Sequence, residues 1–328
     1  MAEANLHVAR LAYLPTIYLN PQGTVGRAME MNYKSYTLGA GAQWDIDLFG
    51  TITNRKRQAK ALYAQAQDQQ TLVQTQIVAG IARGYHNLQI LDQQLDIINK
   101  TVALWEKSLE TQRALMENGS AYSTSVDQME ASLLNVRTQR LDILNNIKDV
   151  ENAICLLLAE QPHAISRSRG TDFTLPAEIG IGVPAELLQN RADVRAAERA
   201  IENAFYVTQE ARSNFYPKLT LSGALGWTNG ETGDVNPAKW FMNAIAGLTQ
   251  PLFSQGRLKA NLKISQLEQQ QVQQQFVNTV LSAGNEVNSL LADCQTARDK
   301  AQLAEAANRY EGNQALINLY IALGGGAQ

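Results

Sequence analysis

Histidine and cysteine are the scarcest residues of this chain among those whose side chains can act as catalytic bases, nucleophiles or metal ligands at neutral pH. There are five of them: His7, His86, Cys155, His163 and Cys294. None falls in a CxxC or Cys/His spacing, and three isolated histidines assemble no Ser/His/Asp pattern. The sequence therefore predicts no enzyme, no metal site and no cofactor, and we interpret the cysteines as apolar packing residues.

Composition argues against two further classes of protein, nucleic-acid binders and proteins with a membrane-spanning helix. The chain has 328 residues, a net charge of −3 and a pI near 5.7, with no basic run that interleaves aromatic residues. A nucleic-acid partner is therefore not expected. No stretch holds the roughly 18 apolar residues of a membrane-spanning helix. The first residues also lack a signal-peptide pattern. Either the protein is cytosolic or the sequence begins inside a processed or trimmed chain, and we expect the second because the first repeat starts at the tail of a helix whose body is absent.

Two prolines mark the elements on which any function must be built. Pro15 and Pro217 each follow a helical pattern and precede an alternation of apolar and polar residues. Proline suits this switch because it lacks an N–H and biases the preceding residue away from helical angles. The sequence therefore predicts strands at about 15–26 and 217–228. The shared organisation of the two halves indicates a tandem duplication.

Two further strands are predicted at about 35–49 and 239–253, with the cleaner alternation in the first. The GAG at 39–41 is no phosphate loop, because a strand follows it. About 15 residues exceed the five or six usual in soluble sheets, and a tilted strand crossing a bilayer needs about 9–11. Taken alone, the segment fits a soluble sandwich equally well. In a membrane, the polar faces would give four lumen-facing candidates: Asp45, Asp47, Lys218 and Thr220.

The helical segments are long and amphipathic. From about 54 to 159, apolar residues recur at three- and four-residue steps on both sides of a polar tip. This pattern predicts an antiparallel coiled-coil hairpin. Helices are also predicted at about 185–214 and 255–309, followed by a truncated return helix. Because Gly312 to Leu323 is too short to return along such a helix, we expect a deleted or unobserved segment between Arg309 and Ile317.

The predicted organisation is a first structural repeat at 1–159, a connector at 160–184 and a second repeat at 185–328. Each chain then supplies four strands. Four strands cannot close a barrel, and no strand edge can stay unpaired in lipid. Membrane strands from this chain therefore require an oligomer. A dimer with eight strands and a trimer with twelve both satisfy that requirement.

Five motifs follow one another along the chain: Leu188–xx–Arg191–x–Asp193–Val194–Arg195–Ala196–Ala197–Glu198, the Tyr216–Pro217 strand entry, WDIDLFG at 44–50, QPLFSQGRL at 250–258 and ALGGG at 322–326. Together they resemble the TolC-like outer membrane factors of Gram-negative efflux systems, in their RND-type and NodT-like lipoprotein branch. The resemblance covers nearly the whole chain and departs at Ala192, where the family usually has proline. It implies structural roles for six residues: Pro15, Arg191, Asp193, Arg195, Glu198 and Pro217.

The resemblance implies an α+β membrane protein. It would be a homotrimer with a twelve-stranded barrel in outer-membrane lipid, four strands per chain, continued through the periplasm by a coiled-coil α-helical barrel. The resemblance further implies a passive conduit engaged by a periplasmic adaptor protein and an inner-membrane pump. In relatives the helical tips form the gate or the adaptor contact, and the matching positions are Gly119, Ser120, Asp127, Arg309, Tyr310 and Gly312. The alternative is a soluble periplasmic coiled-coil scaffold or adaptor.

Overall fold

The structure is a computed structural model that describes residues 1–28, 31–168, 189–229 and 239–303. In chain order its elements are α1 (Ala2–Leu11), β1 (Thr16–Ala28), β2 (Met31–Ile46), α2 (Thr51–Glu117), α3 (Ser123–Leu158), α4 (Ala192–Ser213), β3 (Lys218–Thr228), β4 (Lys239–Thr249) and α5 (Arg257–Leu303). The predicted combination of long helices with four strands is confirmed for this part of the chain.

The four strands form one antiparallel sheet in the order β1, β2, β3, β4. Both halves make the same switch from helix to strand, with Pro15 and Pro217 immediately before β1 and β3. Because proline has no N–H to donate, each ladder begins at the next residue, Thr16 or Lys218. The two helix-to-strand switches therefore have the same local chemistry.

The ends of β2 and β4 differ from the predicted ends at 49 and 253. Strand β2 ends at Ile46 and β4 ends at Thr249. Beyond β2, Asp47 bonds to the first turn of α2 instead of continuing the ladder. Beyond β4, Pro251 removes a donor from the chain. Alternation thus runs past both strands, because it reports side-chain type and not backbone pairing.

The hairpin of α2 and α3 packs along its predicted apolar seam. One buried cluster joins Leu88 and Leu91 to Ile147 and Ile154. A second cluster, nearer the tip, comprises Leu109, Val126 and Leu133, with Trp105 against it. Gly84 allows close approach of the two helices, because a Cβ there would lie 2.7 Å from Cγ1 of Ile154. The apolar steps in the sequence are therefore the contact surface of the hairpin.

The chain divides into two compact units. The first comprises Met1–Gln69 and Asp193–Val280, and the second comprises Gln70–Ala192 and Leu281–Gln328. Each unit takes residues from both sequence repeats, so units and repeats are different divisions, and the repeat boundaries stay a prediction. In the first unit, α4 and α5 are joined by buried Thr208, whose hydroxyl donates to the carbonyl of Ser265 at 3.2 Å.

Several predicted segments extend beyond the described residues. The helix predicted at 185–214 is described from Ala192, and residues 185–188 lie outside the description. The predicted connector at 160–184 is described only as far as 168. The truncated return helix, the expected missing segment and the motif at 322–326 also lie outside the described residues.

Candidate functional site

The register of the sheet sorts its side chains into two faces. One face, here called the apolar face, carries aliphatic and aromatic residues with glycine and proline: Ile17, Leu19, Pro21, Gly23, Val25, Tyr36, Leu38, Ala40, Ala42, Trp44, Ile46, Leu219, Leu221, Gly223, Leu225, Trp227, Trp240, Met242, Ala244, Ala246 and Leu248. The opposite face, here called the polar face, carries mostly hydroxyls, amides, charges and glycines. Cross-strand partners share a face, so the division holds along most of the four strands. Lys34 is an exception, because it is the partner of Val25 and so lies on the apolar face near one end of the sheet.

The apolar face is uncovered within the described chain. Leu19 is 78% exposed, Trp240 73% and Met242 71%. A monomeric soluble protein rarely leaves so continuous an apolar surface in water. Strand β1 pairs only with β2, and β4 only with β3, so both outer edges of the described sheet lack a strand partner. Within the described residues, the sheet therefore lacks a covering layer on its apolar face and a strand partner at each outer edge.

Three of the four residues predicted to face a lumen lie together on the polar face. Asp45 is the cross-strand partner of Thr220, whose hydroxyl donates to the Asp45 carboxylate at 3.0 Å. Lys218 lies two residues before Thr220 on the same face of β3. The sequence placed these three correctly on one face of the sheet; their exposure to a lumen stays a prediction.

The prediction for Asp47 as a strand residue is wrong. Asp47 lies beyond β2 and accepts hydrogen bonds at the start of α2: from the N–H of Ile52 at 3.0 Å, the N–H of Thr53 at 2.8 Å and the Thr53 hydroxyl at 2.6 Å. Burial alone would raise the pKa of Asp47, but these hydrogen bonds outweigh it and lower the pKa below 3.8. An anionic carboxylate therefore satisfies N–H groups that helix geometry leaves without partners.

A network continues from this cap to the sheet. The hydroxyls of Thr53 and Tyr13 lie 2.9 Å apart, and the indole N–H of Trp44 donates to the carbonyl of Tyr13 at 2.8 Å. The end of β2, the segment after α1 and the start of α2 are thus joined by directional bonds. We call this region, residues 44–55, the first junction.

The first junction also holds the switch from α4 to β3. Phe49 stacks on Tyr216 with ring centroids 4.8 Å apart, and the hydroxyls of Thr51 and Ser213 are 2.9 Å apart. Arg55 pairs with Glu210 at 2.6 Å. A cavity of about 120 Å³ lies in this region, between Asp45, Lys218 and their neighbours. The two halves of the sequence therefore lock together here.

The equivalent region after β4, residues 250–257, is the second junction. Its Leu252 and Phe253 repeat the Leu48–Phe49 pair, but they are 93% and 86% exposed. Gln255 and Gly256 turn the chain into α5 with φ angles of 52° and 77°. The second junction thus repeats the apolar residues of the first, but among the described residues Leu252 and Phe253 stay almost fully exposed.

The hairpin tip is built from a helix end, a left-handed glycine and an extended tyrosine. Gly119 has φ 73°, and the N–H groups of Gly119 and Ser120 close the last turn of α2 onto Met116 and Leu115. Tyr122 precedes α3 and is 84% exposed. Asp127 is exposed in the second turn of α3. Sequence reasoning missed Tyr122, although a large aromatic residue in a polar tip was a visible signal.

The other predicted tip residues, Arg309, Tyr310 and Gly312, lie outside the described residues. The described tip therefore consists of one hairpin end. Near it, Arg113 of α2 pairs with Glu130 of α3 at 3.2 Å, between side chains that are about half exposed. Such exposed pairs contribute little stability, so the apolar cluster around Leu109 holds this end of the hairpin together.

Most of the described family-motif residues make ionic or capping contacts. Arg191 is largely buried and pairs with Glu286 at 2.7 Å. Asp193 lies in the first turn of α4, and its carboxylate accepts the N–H of Val194 at 2.9 Å. Arg195 pairs with Asp68 of α2 at 2.9 Å. Glu198 lines a groove between α4 and α5 together with Phe205 and Phe276.

An ionic clamp that holds α2 and α3 together, away from the hairpin tip, was not predicted from the sequence. Arg167 donates to both carboxylate oxygens of Asp92 in α2, at 2.5 and 2.8 Å, and to Glu151 in α3 at 2.6 Å. Hydrogen bonding to Asp92 is the largest of the effects that raise the Arg167 pKa, and it outweighs burial. The segment after α3 thereby ties the two helices of the hairpin together.

The residues with catalytic potential are placed for packing. Cys155 and Cys294 are each 1% exposed. His163, predicted to be isolated, instead has Nδ1 3.5 Å from Sγ of Cys155 and 3.0 Å from the carbonyl of Gln161. The described residues contain no group of three or more His, Cys, Asp or Glu placed to hold a metal ion. Among the same residues, no helix is long and apolar enough to cross a membrane.

Comparison with known proteins accounts for this architecture. A family model for the outer membrane efflux protein matches residues 1–160 and 183–325. The cation efflux system protein CusC of Escherichia coli O6:H1 is 25% identical over 273 residues, covering 81% of this chain and 58% of CusC. This chain therefore spans less than two thirds of that curated relative.

Solved structures share the fold. A membrane protein from Pseudomonas aeruginosa gives a TM-score of 0.86 at 21% identity, covering 98% of this chain and 87% of that one. The outer membrane protein VceC from Vibrio cholerae gives a TM-score of 0.74 at 21% identity, covering 100% and 91%. At such identities the likeness establishes the fold, and the site must be argued from its own residues.

Proposed function

We infer that this chain, which belongs to the outer membrane efflux protein family, is the outer-membrane channel component of a tripartite efflux system in a Gram-negative bacterium. One observation carries the proposal: a four-stranded sheet with an uncovered apolar face, a polar opposite face and two unpaired outer edges. Lipid on one face and water on the other satisfy such a sheet, provided that identical sheets close its edges.

The closing partner is a second and a third copy of the same chain. Strand count alone allows eight strands or twelve, and the family favours the homotrimer with twelve. In that barrel β4 of one protomer pairs with β1 of the next, and Leu221 and Trp44 face lipid. Asp45, Lys218 and Thr220 then line the lumen. Asp47 belongs to the rim, where its charge holds α2 to the barrel.

The proposed channel is passive, as the resemblance to TolC-like outer membrane factors implies. On the same ground we propose that an inner-membrane pump supplies the energy and that a periplasmic adaptor connects the pump to the conduit. We assign adaptor docking or gating to the hairpin tips, with Gly119, Ser120 and Asp127 in the described tip and Arg309, Tyr310 and Gly312 at the second. Tyr122, 84% exposed, is the apolar anchor that we add to this surface.

Lipid contact is tested by tryptophan quenching. Three of the four tryptophans, Trp44, Trp227 and Trp240, lie on the apolar face, and Trp105 lies in the hairpin core. In a Trp105→Phe variant, brominated lipids should quench most of the remaining fluorescence. Emission unaffected by brominated lipid would refute the membrane assignment and favour the soluble scaffold, in which protein must cover this face.

Conduction is tested on the reconstituted protein in a planar bilayer. We expect discrete conductance steps that persist without nucleotide or a proton gradient, since the proposed channel is passive. A bilayer that stays silent although the lipid-contact test succeeds would contradict the conduit and leave a membrane-anchored scaffold.

A further inference from the structure

In the GAG at 39–41, the absence of a side chain at a glycine leaves room for an aromatic ring on the polar face of the sheet. Gly41 is the cross-strand partner of Tyr18, and a Cβ at Gly41 would lie 2.5 Å from Cζ, 2.6 Å from Cε2 and 2.7 Å from the hydroxyl of Tyr18. The far end of the tyrosine ring therefore occupies the place of a side chain on β2. The ring lies along the sheet instead of standing out from it.

A second ring reaches the same strand from the other side. Phe241 of β4 is the partner of Gly226, and Gly226 is the partner of Gly39. Cζ of Phe241 lies 3.4 Å from the position of a Cβ on Gly39. The ring thus crosses β3 over one glycine and ends over another. A side chain at Gly226 would collide with the backbone of β2 at Leu38 and Gly39.

These contacts give the glycines a role that strand formation alone does not explain. Glycine weakens a strand interior and there often marks a close approach. Here Gly41 admits a side-chain ring, whereas Gly226 admits backbone. Gly23 provides the contrast, because it lies on the apolar face of β1 and a Cβ there would meet nothing within 4 Å.

We propose that Gly41 is a seat that holds Tyr18 flat against the lumen wall, and that this seating sets the width of the passage for large cargo at the level of the rings. The proposal rests on the proposed function, since it requires the polar face to line the lumen. A trimer places three copies of each ring around the passage. Filling the Gly41 seat would turn three tyrosine rings inward.

The test uses a cysteine reporter beyond the rings. Ser222 lies on the polar face of β3, two residues nearer to Pro217 than Ala224, which shares the cross-strand row of Gly41 and Tyr18. Ser222→Cys is nearly isosteric, and native Cys155 and Cys294, each 1% exposed, are shielded. On the detergent-solubilised trimer, modification rates are measured with a small charged methanethiosulfonate and with a maleimide on a polyethylene glycol chain.

Adding Gly41→Ala should lower the ratio of the large-reagent rate to the small-reagent rate roughly threefold or more, because three displaced rings narrow the lumen of a twelve-stranded barrel. Gly23→Ala should leave the ratio unchanged. Adding Tyr18→Ala to Gly41→Ala should restore it. If Gly41→Ala prevents folding, Tyr18→Ala alone should raise the ratio above that of the reporter protein.

An unchanged ratio in Gly41→Ala, or in Tyr18→Ala where that variant is used, would overturn the seating proposal while leaving the channel intact. A different result would contradict the proposed function itself: Ser222→Cys unreactive toward both reagents while Leu221→Cys on the opposite face reacts. That outcome would mean that the polar face does not face water. The two failures are therefore distinguishable in one set of measurements.

Discussion

The two strand-to-helix junctions contain the same Leu–Phe pair, but the pair is partly packed at the first junction and almost fully exposed at the second. At the first, Asp47 caps α2, and Phe49 stacks on Tyr216 at 4.8 Å. At the second, Leu252 and Phe253 repeat the apolar pair but are 93% and 86% exposed. The first junction finds its partners because β2 has β3 beside it. The second lies next to β4, whose outer edge has no strand partner in the described chain.

This difference suggests that another protomer packs against the second junction. In a tandem duplication, both copies of a motif face equivalent surroundings once the assembly is complete. The surroundings of Phe49 come from the switch at Pro217. We propose that those of Phe253 come from the corresponding switch at Pro15 of another protomer, which would make the exposed second junction an interface.

The largest expected effect separates Phe49 from Phe253. Phe49→Ala should destabilise the protomer by about 2 kcal/mol, because a half-exposed ring loses both burial and its stacking partner. Phe253→Ala should leave protomer unfolding unchanged and weaken the trimer. Urea unfolding followed by helical circular dichroism measures the first effect, and the concentration dependence of trimer dissociation measures the second. An equal loss of protomer unfolding free energy in both variants would show that the two junctions do not differ.

A smaller effect is expected at the helix cap. Asp47→Ala should cost about 1 kcal/mol in the same unfolding measurement, as for other helix caps. Ser254→Ala is the control in the second junction, where Ser254 accepts the N–H of Arg257 through its backbone carbonyl. It should change stability by less than about 0.5 kcal/mol. A larger loss from Ser254→Ala than from Asp47→Ala would reverse the proposed comparison.

The Asp47 cap also makes the stability contributed by the first junction depend on pH. Because hydrogen bonding lowers the folded-state pKa of Asp47 below 3.8, its contribution is complete well above pH 3.8. It is lost as pH falls from 3.8 through the lower folded-state pKa. Wild type and Asp47→Asn should therefore converge in unfolding free energy as the medium is acidified. A gap that stays constant with pH would mean that the carboxylate charge does not contribute.

The smallest effect concerns the ion pair of the first junction. Arg55 is 57% exposed and Glu210 19%, so their coupling should be about 0.5 kcal/mol after solvent screening. A double-mutant cycle with Arg55→Ala and Glu210→Ala measures it, and added salt should reduce it. A coupling of several kcal/mol would show that charge, and not ring stacking, holds this junction.

Periodicity predicted much of the fold because it reports directly on burial. The seam around Leu88 and Ile147 and the strand starts after Pro15 and Pro217 follow from side-chain pattern and proline chemistry. Asp47 was misplaced because alternation continued past the last ladder bond. A capping carboxylate and a strand carboxylate are indistinguishable until the backbone is known.

The contacts that define the site were less accessible to sequence reasoning. Phe49 and Tyr216 are far apart in sequence, as are Tyr18 and the opposing glycine of β2, and only the register brings each pair together. Arg167 belongs to a segment without periodicity, so its two carboxylate partners could not be identified. Tyr122 could have been found, because a large aromatic residue in a polar tip is unusual.

The central claim is that identical copies complete this sheet into a lipid-embedded barrel. The most direct test is the mass of the detergent-solubilised protein, measured by light scattering with the detergent contribution subtracted. We predict a protein mass of three times 36.1 kDa. A detergent-free soluble monomer of 36.1 kDa would contradict the account.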